Sequence, residues 1–441
     1  MEIPFRSTQT QQQKAATDEY EKRNFRLFLI NGVFTRIGFR FVDSSMVLAA
    51  FVKELTKSNL MVGLTSSTMR AGWMWPQLLM SSLLEHRPRK MPFYIFGVIV
   101  RIIAWILILV LTLSIGNRNY LLLFLCFYLL YFVASSSMGV STLPYQDIVA
   151  KSIPVQRRAR LFSLRQLIGG LFGIGVGFLI RHILSEGFFL SFPHNYAAIF
   201  GLAILIMIGG FVIFVMVREP IHPVHDERKP FWQHLRRGAH FLKTDRDYRY
   251  FMIYRIASTF GSMCTSFYAV YALDPVGLGV PEATIGSFIA IGAISGVLSN
   301  ILWVYIGEKY GSKSLLVVSS CLACAAPMIA ASVKYMPVPR QTAFYFLVFI
   351  VSRAYMNGSL IAYMTYTLNL APSKSRPTYL GFLNTLMFPM SLVPFLAGAL
   401  LKVMSYESMF ILSAIMAALA VYFAIRLSDV DKRDDIESKD D

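Results

Sequence analysis

The sequence predicts an all-α membrane protein with twelve transmembrane helices in two six-helix halves. Composition and an internal repeat carry that prediction. Hydrophobic residues make up 55% of the 441 positions and charged residues only 15%, with a mean hydropathy of +0.53, a balance that places most of the chain in lipid. The charged hexad Glu85-His86-Arg87-Pro88-Arg89-Lys90 recurs 223 positions later as Glu308-Lys309-Tyr310-Gly311-Ser312-Lys313. A second motif, Pro154-Val155-Gln156-Arg157, recurs 218 positions later as Pro372-Ser373-Lys374-Ser375-Arg376. Each hexad separates the second and third apolar segments of its half, and each proline motif follows the fourth.

A membrane-crossing helix takes about 20 mostly apolar residues. Windows of that kind fall at 25–52, 60–83, 93–114, 120–146, 161–184, 195–217, 249–273, 284–306, 314–334, 341–368, 379–402 and 407–427. The first, second and tenth carry several polar groups, and the repeat supports counting them as spans. Five regions result: a polar N-terminal segment 1–24, a first half 25–217, a central loop 218–248, a second half 249–427 and a tail 428–441. Segment 1–24 lacks the apolar core of a signal peptide. The tail alternates acids and bases without hydrophobes, as solvated disordered ends do. In the central loop Phe231, Trp232, Leu235, Ala239 and Leu242 share one helical face and Arg236, Arg237, His240 and Lys243 the other. That pattern suits a helix lying in the headgroup layer, and a plain linker helix accounts for it equally.

The net charge of +17 is distributed by topology. Arg87, Arg89, Lys90, Lys151, Arg157, Arg158, Arg160, Lys309, Lys313, Lys374 and Arg376 fall in one set of alternate loops, together with the basic central loop. By the bias of positive residues toward the cytoplasm, both termini are expected to be cytoplasmic, and the expected location is the plasma (inner) membrane. The excess charge then meets anionic lipid of the bilayer, and no nucleic-acid partner is expected, because no soluble domain presents a basic face. Four cysteines make no framework. Cys321-x-x-Cys324 inside the ninth span reads as packing residues, and no metal or cofactor is expected. The chain has no nucleotide-binding glycine loop, nucleophile elbow or metalloprotease motif, so no enzymatic activity is expected.

Twelve spans in two repeated halves, the repeated charged loop and the basic central loop resemble the major facilitator superfamily. That family's loop signature is roughly Gly-x-x-x-Asp-Arg-x-Gly-Arg-Arg. Gly307, Glu308, Lys309, Gly311 and Lys313 keep much of it, whereas Glu85, Arg87, Arg89 and Lys90 keep only its charges, with Pro88 where glycine is usual. The resemblance implies a secondary transporter working by alternating access, with spans one, four, seven and ten around a central cavity. It also implies that Glu85, Arg87, Glu308, Lys309 and Lys313, with Asp147 near a span end, serve as a cytoplasmic gate. Leu143-Pro144-Tyr145-Gln146-Asp147 followed by Arg157, Arg158, Arg160 and Arg165 further resembles the fourth-to-fifth-span region of cation-coupled sugar symporters.

Charges deep in the spans point to the chemistry, since an ionised side chain at mid-depth costs at least about 2.5–3.5 kcal/mol. Arg36 and Arg40 lie near the middle of the first span, Arg70 of the second and Arg353 of the tenth. At the helical repeat Arg36, Arg40 and Asp43 fall within about 60° of one another, and Arg353 shares a face with Asn357 and Met364. Guanidinium forks match carboxylate and phosphate oxygens. Arg36, Arg353, Asn357, Arg70 and Tyr268 are therefore expected to bind a small organic anion. For Arg40 and Arg70 a structural role is equally open, Arg40 through pairing with Asp43. Asp43, with Arg40, is the candidate for coupling to a co-transported proton or cation, as in a symporter. A neutral sugar, an exported drug and a non-transporting sensor on the same fold remain alternatives. The protein is expected to act as a monomer. Gly169, Gly170, Gly173, Gly175 and Gly177 in the fifth span, with Gly292, Gly296, Gly381 and Gly398 in the second half, suggest close contacts between the halves.

Overall fold

A computed structural model of the chain describes residues 5–85, 87–116, 118–220, 242–370, 383 and 386–430. Residues 221–241 of the central loop, the loop copy at 372–376, Gly381, the tail beyond 430 and the side chains of Glu85, Arg158 and residues 1–19 lie outside the described residues. The first half comprises α1 (Phe5–Phe41), α2 (Val47–Thr56), α3 (Asn59–Glu85), α4 (Met91–Ile115), α5 (Tyr120–Ser152), α6 (Val155–Ile183) and α7 (His194–Val215). The second comprises α8 (Arg246–Gly261), α9 (Tyr268–Leu273), α10 (Thr284–Ser332), α11 (Val338–Leu370), α12 (Val393–Leu400) and α13 (Tyr406–Arg426).

Seven of these helices are long and apolar enough to cross a membrane alone, among them the 49-residue α10. That helix holds two spans, the eighth and ninth. They are parted at Gly311, where φ is 78° and ψ −178°, a conformation that needs glycine because a Cβ would clash. The second charged hexad is thus a turn built on its glycine. Its first copy turns without one, at Pro88, and Glu219 holds the start of α4 by accepting the N–H groups of Lys90 (2.7 Å) and Met91 (2.9 Å). Spans one and seven are assembled from α1 with α2 and α8 with α9, span two is α3, and α12 belongs to the eleventh. The all-helical architecture is consistent with twelve passes.

Side-chain caps explain several starts: Asn119 accepts from the Leu122 N–H, Asp245 from Tyr248 and Ser405 from Ser408, each satisfying a backbone donor left free in the first turn. Inside the first half Phe51 anchors a ring cluster, with centroids 5.2 Å from Tyr196 and 5.3 Å from Phe127 and Phe200.

The halves meet along two helix pairs, α6 with α10 and α3 with α12. Backbones come close in both. A Cβ on Gly177 would lie 2.6 Å from the Ala290 nitrogen, and one on Gly63 would lie 2.2 Å from the Pro394 oxygen. The Ser67 hydroxyl accepts the Phe395 N–H at 2.9 Å. Helix direction places these contacts toward the end of the bundle away from the chain termini, called the far end below.

Candidate functional site: a basic cavity between the halves

The first span breaks where its charges lie. After Phe41 the backbone leaves the helix until Val47. Asp43 organises the break, its carboxylate accepting the Ser45 N–H at 2.9 Å and its carbonyl the Leu48 N–H at 3.0 Å. An aspartate that bonds to backbone two residues on favours a turn over a helix. The seventh span breaks at the matching place, with a tight turn at Met263–Ser266 between α8 and α9. Met263 follows Asp43 by 220 positions, within the offsets of the sequence repeat. Interrupted helices at mid-depth are where transporters of this kind place ligands.

Between the two breaks lies a small cavity lined by Asp43, Ser45, Met46, Thr265, Tyr268, Phe349, Ser352, Arg353 and Met356, with a volume of about 20 Å³. It holds roughly one water. Asp43 lies 3.7 Å from the Arg353 guanidinium, joining first half to second. The expected attraction between Arg40 and Asp43 persists, but the ion pair that Asp43 makes is with Arg353, remote in sequence. Arg40 and Arg36 both lie within electrostatic reach of Arg353, and Arg36 also of Arg165. Asp43 thus faces Arg353 and Arg40, with Arg36 behind them and Arg165 beyond Arg36.

Glycines make the space for them. A Cβ on Gly169 would lie 2.9 Å from Arg36 Cδ, one on Gly173 3.6 Å from Arg40 Nε, and one on Gly296 3.3 Å from Arg353 Cγ. In the fifth span Gly169 accommodates Arg36, Gly170 and Gly177 approach the other half, and Gly173 meets both, with a Cβ 3.5 Å from Ala293 Cβ and 3.6 Å from Arg40 Nε.

Of the remaining expected residues Tyr268 stays at the cavity, whereas Asn357 and Arg70 have other neighbours. Asn357 donates to the Gly296 carbonyl at 2.9 Å and so braces α11 on α10, and Met364 is exposed. Tyr268 lines the cavity and is 3% exposed, accepting the Cys264 thiol at 3.0 Å. Arg70 sits apart from Asp43, near Tyr355 and Arg255. Trp73 and Trp75 donate to Thr142 (3.0 Å) and Ser136 (2.9 Å), fastening α3 to α5. Cys321 is exposed and Cys324 donates to the Ala414 carbonyl at 3.5 Å.

Of the expected gate residues, Arg87, Glu308 and Lys309 are exposed and Lys313 is half-buried. Lys309 donates to Tyr305 at 3.0 Å within its own helix. Asp147 pairs with Lys151 at 2.7 Å, also within its helix. Among the described residues no ion pair joins the halves at this near end. At the far end one does: Lys53 lies 3.0 Å from Asp274, and Tyr406 donates to Asn59 (2.9 Å) and Asp274 (3.3 Å). Burial alone would raise the Asp274 carboxyl, but the Lys53 and Val276 donors outweigh it and hold the group below the usual carboxylate range.

Arg101, Arg165 and Arg255 are further charges inside span windows, beyond the four singled out from the sequence. Arg165 donates to Tyr145, and Arg101 lies 5.7 Å from the Phe39 ring. The signal available was simply a charge inside a span window.

Comparison with known proteins settles the family. A sequence model of the Major Facilitator Superfamily matches residues 28–392 and 257–440. The chain belongs to that superfamily. It is a multi-pass integral membrane protein with a transporter's fold. Similar solved structures include the nucleoside transporter NupG as a D323A mutant, with TM-score 0.69, 13% identity, and 91% of this chain and 99% of that one covered. A D-xylose–proton symporter gives TM-score 0.68 at 15% identity, covering 91% and 98%. A bacterial homologue of the iron transporter ferroportin, in its inward-facing state, gives 0.66 at 16%, covering 92% and 98%. In sequence, an uncharacterized protein of Mycobacterium tuberculosis is 23% identical over 191 residues, or 43% of this chain. The match spans 36% of the length of that relative.

Proposed function

We propose that this transporter carries a small organic anion across the plasma (inner) membrane by alternating access, with Arg36 and Arg353 as its principal contacts. The observation that supports it is the charge balance at mid-depth: Arg36, Arg40 and Arg353 lie within electrostatic reach of one another, Arg165 adjoins Arg36, and one carboxylate, Asp43, faces Arg40 and Arg353. Such a cluster is costly in a low-dielectric interior unless an anion enters it. In this reading Asp43 occupies the place of the substrate on Arg353. An arriving carboxylate or phosphate displaces it, and the released Asp43 is then free to take up a proton or cation, which would couple the two movements.

The halves are tied at the far end by Lys53 with Asp274, which supports a conformation closed on the side away from the termini, and the charged loops around Glu85, Arg87, Glu308, Lys309 and Lys313 would latch in the opposite state.

Thermal stabilisation of the purified protein tests the reading, because a ligand that binds the folded state raises the melting temperature by mass action. Organic anions, phosphate esters, sugars and cationic drugs are compared on wild type, Arg36→Gln and Arg353→Gln. Stabilisation by an anion that both substitutions abolish is the expected result. Stabilisation by a sugar or a cation that survives both would assign the arginines a structural role.

A further inference from the structure

Arg255 and Arg70 form a second pair of deep cations, one from each half. Arg70 on α3 lies within electrostatic reach of Arg255 on α8 and of Tyr355 on α11. The Arg255 guanidinium lies 4.1 Å from the Tyr363 ring centroid, and its Nε is buried without a hydrogen-bond partner. Neither arginine is fully enclosed by protein. Neither forms an ion pair with any described carboxylate. Guanidinium does not lose its proton in proteins, so the repulsion has to be met by an anion or by water. Arg255 also stands 219 positions after Arg36, inside the 218-to-223 offset of the repeated halves, so it takes in the seventh span nearly the place Arg36 takes in the first. Stacking on Tyr363 leaves the in-plane donor edge of Arg255 available for bidentate contact.

We propose that Arg70 and Arg255 are a second anion subsite, and that the substrate carries two separated negative groups, one held by Arg36 and Arg353 and the other by Arg70 and Arg255. This rests on the anion reading above and narrows it. Asp43 balances part of the first subsite, while the second has no internal counter-charge among the described residues, so a monoanion leaves it unmatched. The shared chemistry is that of a dicarboxylate or a phosphorylated carboxylate.

The test measures calorimetric binding of succinate, adipate and suberate against butyrate, hexanoate and octanoate to the full-length protein in nanodiscs. At least one dicarboxylate is expected to bind about tenfold or more tightly than the monocarboxylate of equal length. Arg70→Gln and Arg255→Gln should each weaken the dicarboxylate far more than its partner, moving that ratio toward one, while Arg255→Lys, which keeps the charge, should retain part of it. Equal affinities in wild type would overturn the inference without any variant, as would a ratio that both Gln variants leave unchanged. If carboxylates bind and Arg36→Gln abolishes that binding while no dicarboxylate preference exists, only the second subsite is lost. If no carboxylate binds, or Arg36→Gln has no effect, the anion reading itself fails and takes the inference with it. Size-exclusion profiles and the Lys variant separate misfolding from loss of contact.

Discussion

The mid-depth cavity and the far-end seal both join the halves through charge, but their balance differs. At the far end Lys53 meets Asp274, with Asn59 and Tyr406 completing the contact, and Lys57 pairs with Glu54. At mid-depth Arg353 and Arg40 share Asp43, while Arg36 and its neighbour Arg165 add positive charge without a carboxylate of their own among these contacts. A matched pair is complete in itself and can act as a latch. An unmatched cluster is completed by something that comes and goes, which is what a transport site must allow.

The largest effect should come from emptying the cluster. Each charge-assisted contact to a ligand contributes about 1.5–3 kcal/mol, so Arg36→Gln with Arg353→Gln should lower uptake into proteoliposomes about a hundredfold or more; a loss below tenfold would break the contrast with the far end. Next is the latch. Lys53→Ala removes one partner of a pair whose side chains are 18% and 14% exposed, and ~1–3 kcal/mol of stability should go with it, between the limits for exposed and buried pairs. A double-mutant cycle with Asp274→Ala, read by thermal unfolding, isolates the pair itself; a coupling near zero would remove it as a latch.

Asp43→Asn sharpens the comparison because it takes away the carboxylate that competes for Arg353. Anion affinity should rise about tenfold, or 1.4 kcal/mol, while coupled uptake falls. Weaker binding would mean that Asp43 orients the arginine rather than competing with the substrate.

The smallest effect is one of pH at the far end. Burial, then the Glu54 charge, raise the Glu282 carboxyl to about 7, against the pull of Lys57 and of a hydrogen bond from Tyr196. A raised carboxyl means the sealed fold binds the proton more tightly than the unfolded chain does. Stability should therefore fall as pH rises from the ordinary carboxylate range toward 7. Glu282→Gln should flatten melting-temperature profiles across that window, whereas an unchanged slope would assign it to another group.

Much of this was legible in the chain. The hexads at Glu85 and Glu308 fixed the duplication, hydropathy found the spans, and the cost of ionised groups in lipid singled out Arg36, Arg40, Arg70 and Arg353. The partner of Asp43 was not legible, because Arg353 is remote in sequence while Arg40 shares its helical stripe; only the break at 42–46 shows that the stripe is interrupted. Gly169 read naturally as a contact between halves but meets Arg36, since sequence does not say which face of a helix meets a bulky neighbour, whereas Gly173 does lie against Ala293 of the other half. Arg255 was passed over because, taken alone, it is one charge in a polar span, and it acquires meaning beside Arg70.

The sequence by itself determined the medium, the number of passes and the repeated halves, because hydropathy and local turn chemistry act over tens of residues and leave their period in the chain. Tertiary structure alone decided which charges meet. Pairings such as Asp43 with Arg353, Lys53 with Asp274 and Arg70 with Arg255 join residues of different halves, and electrostatic energy depends on distance through space and on burial, neither of which is written in the order of the residues.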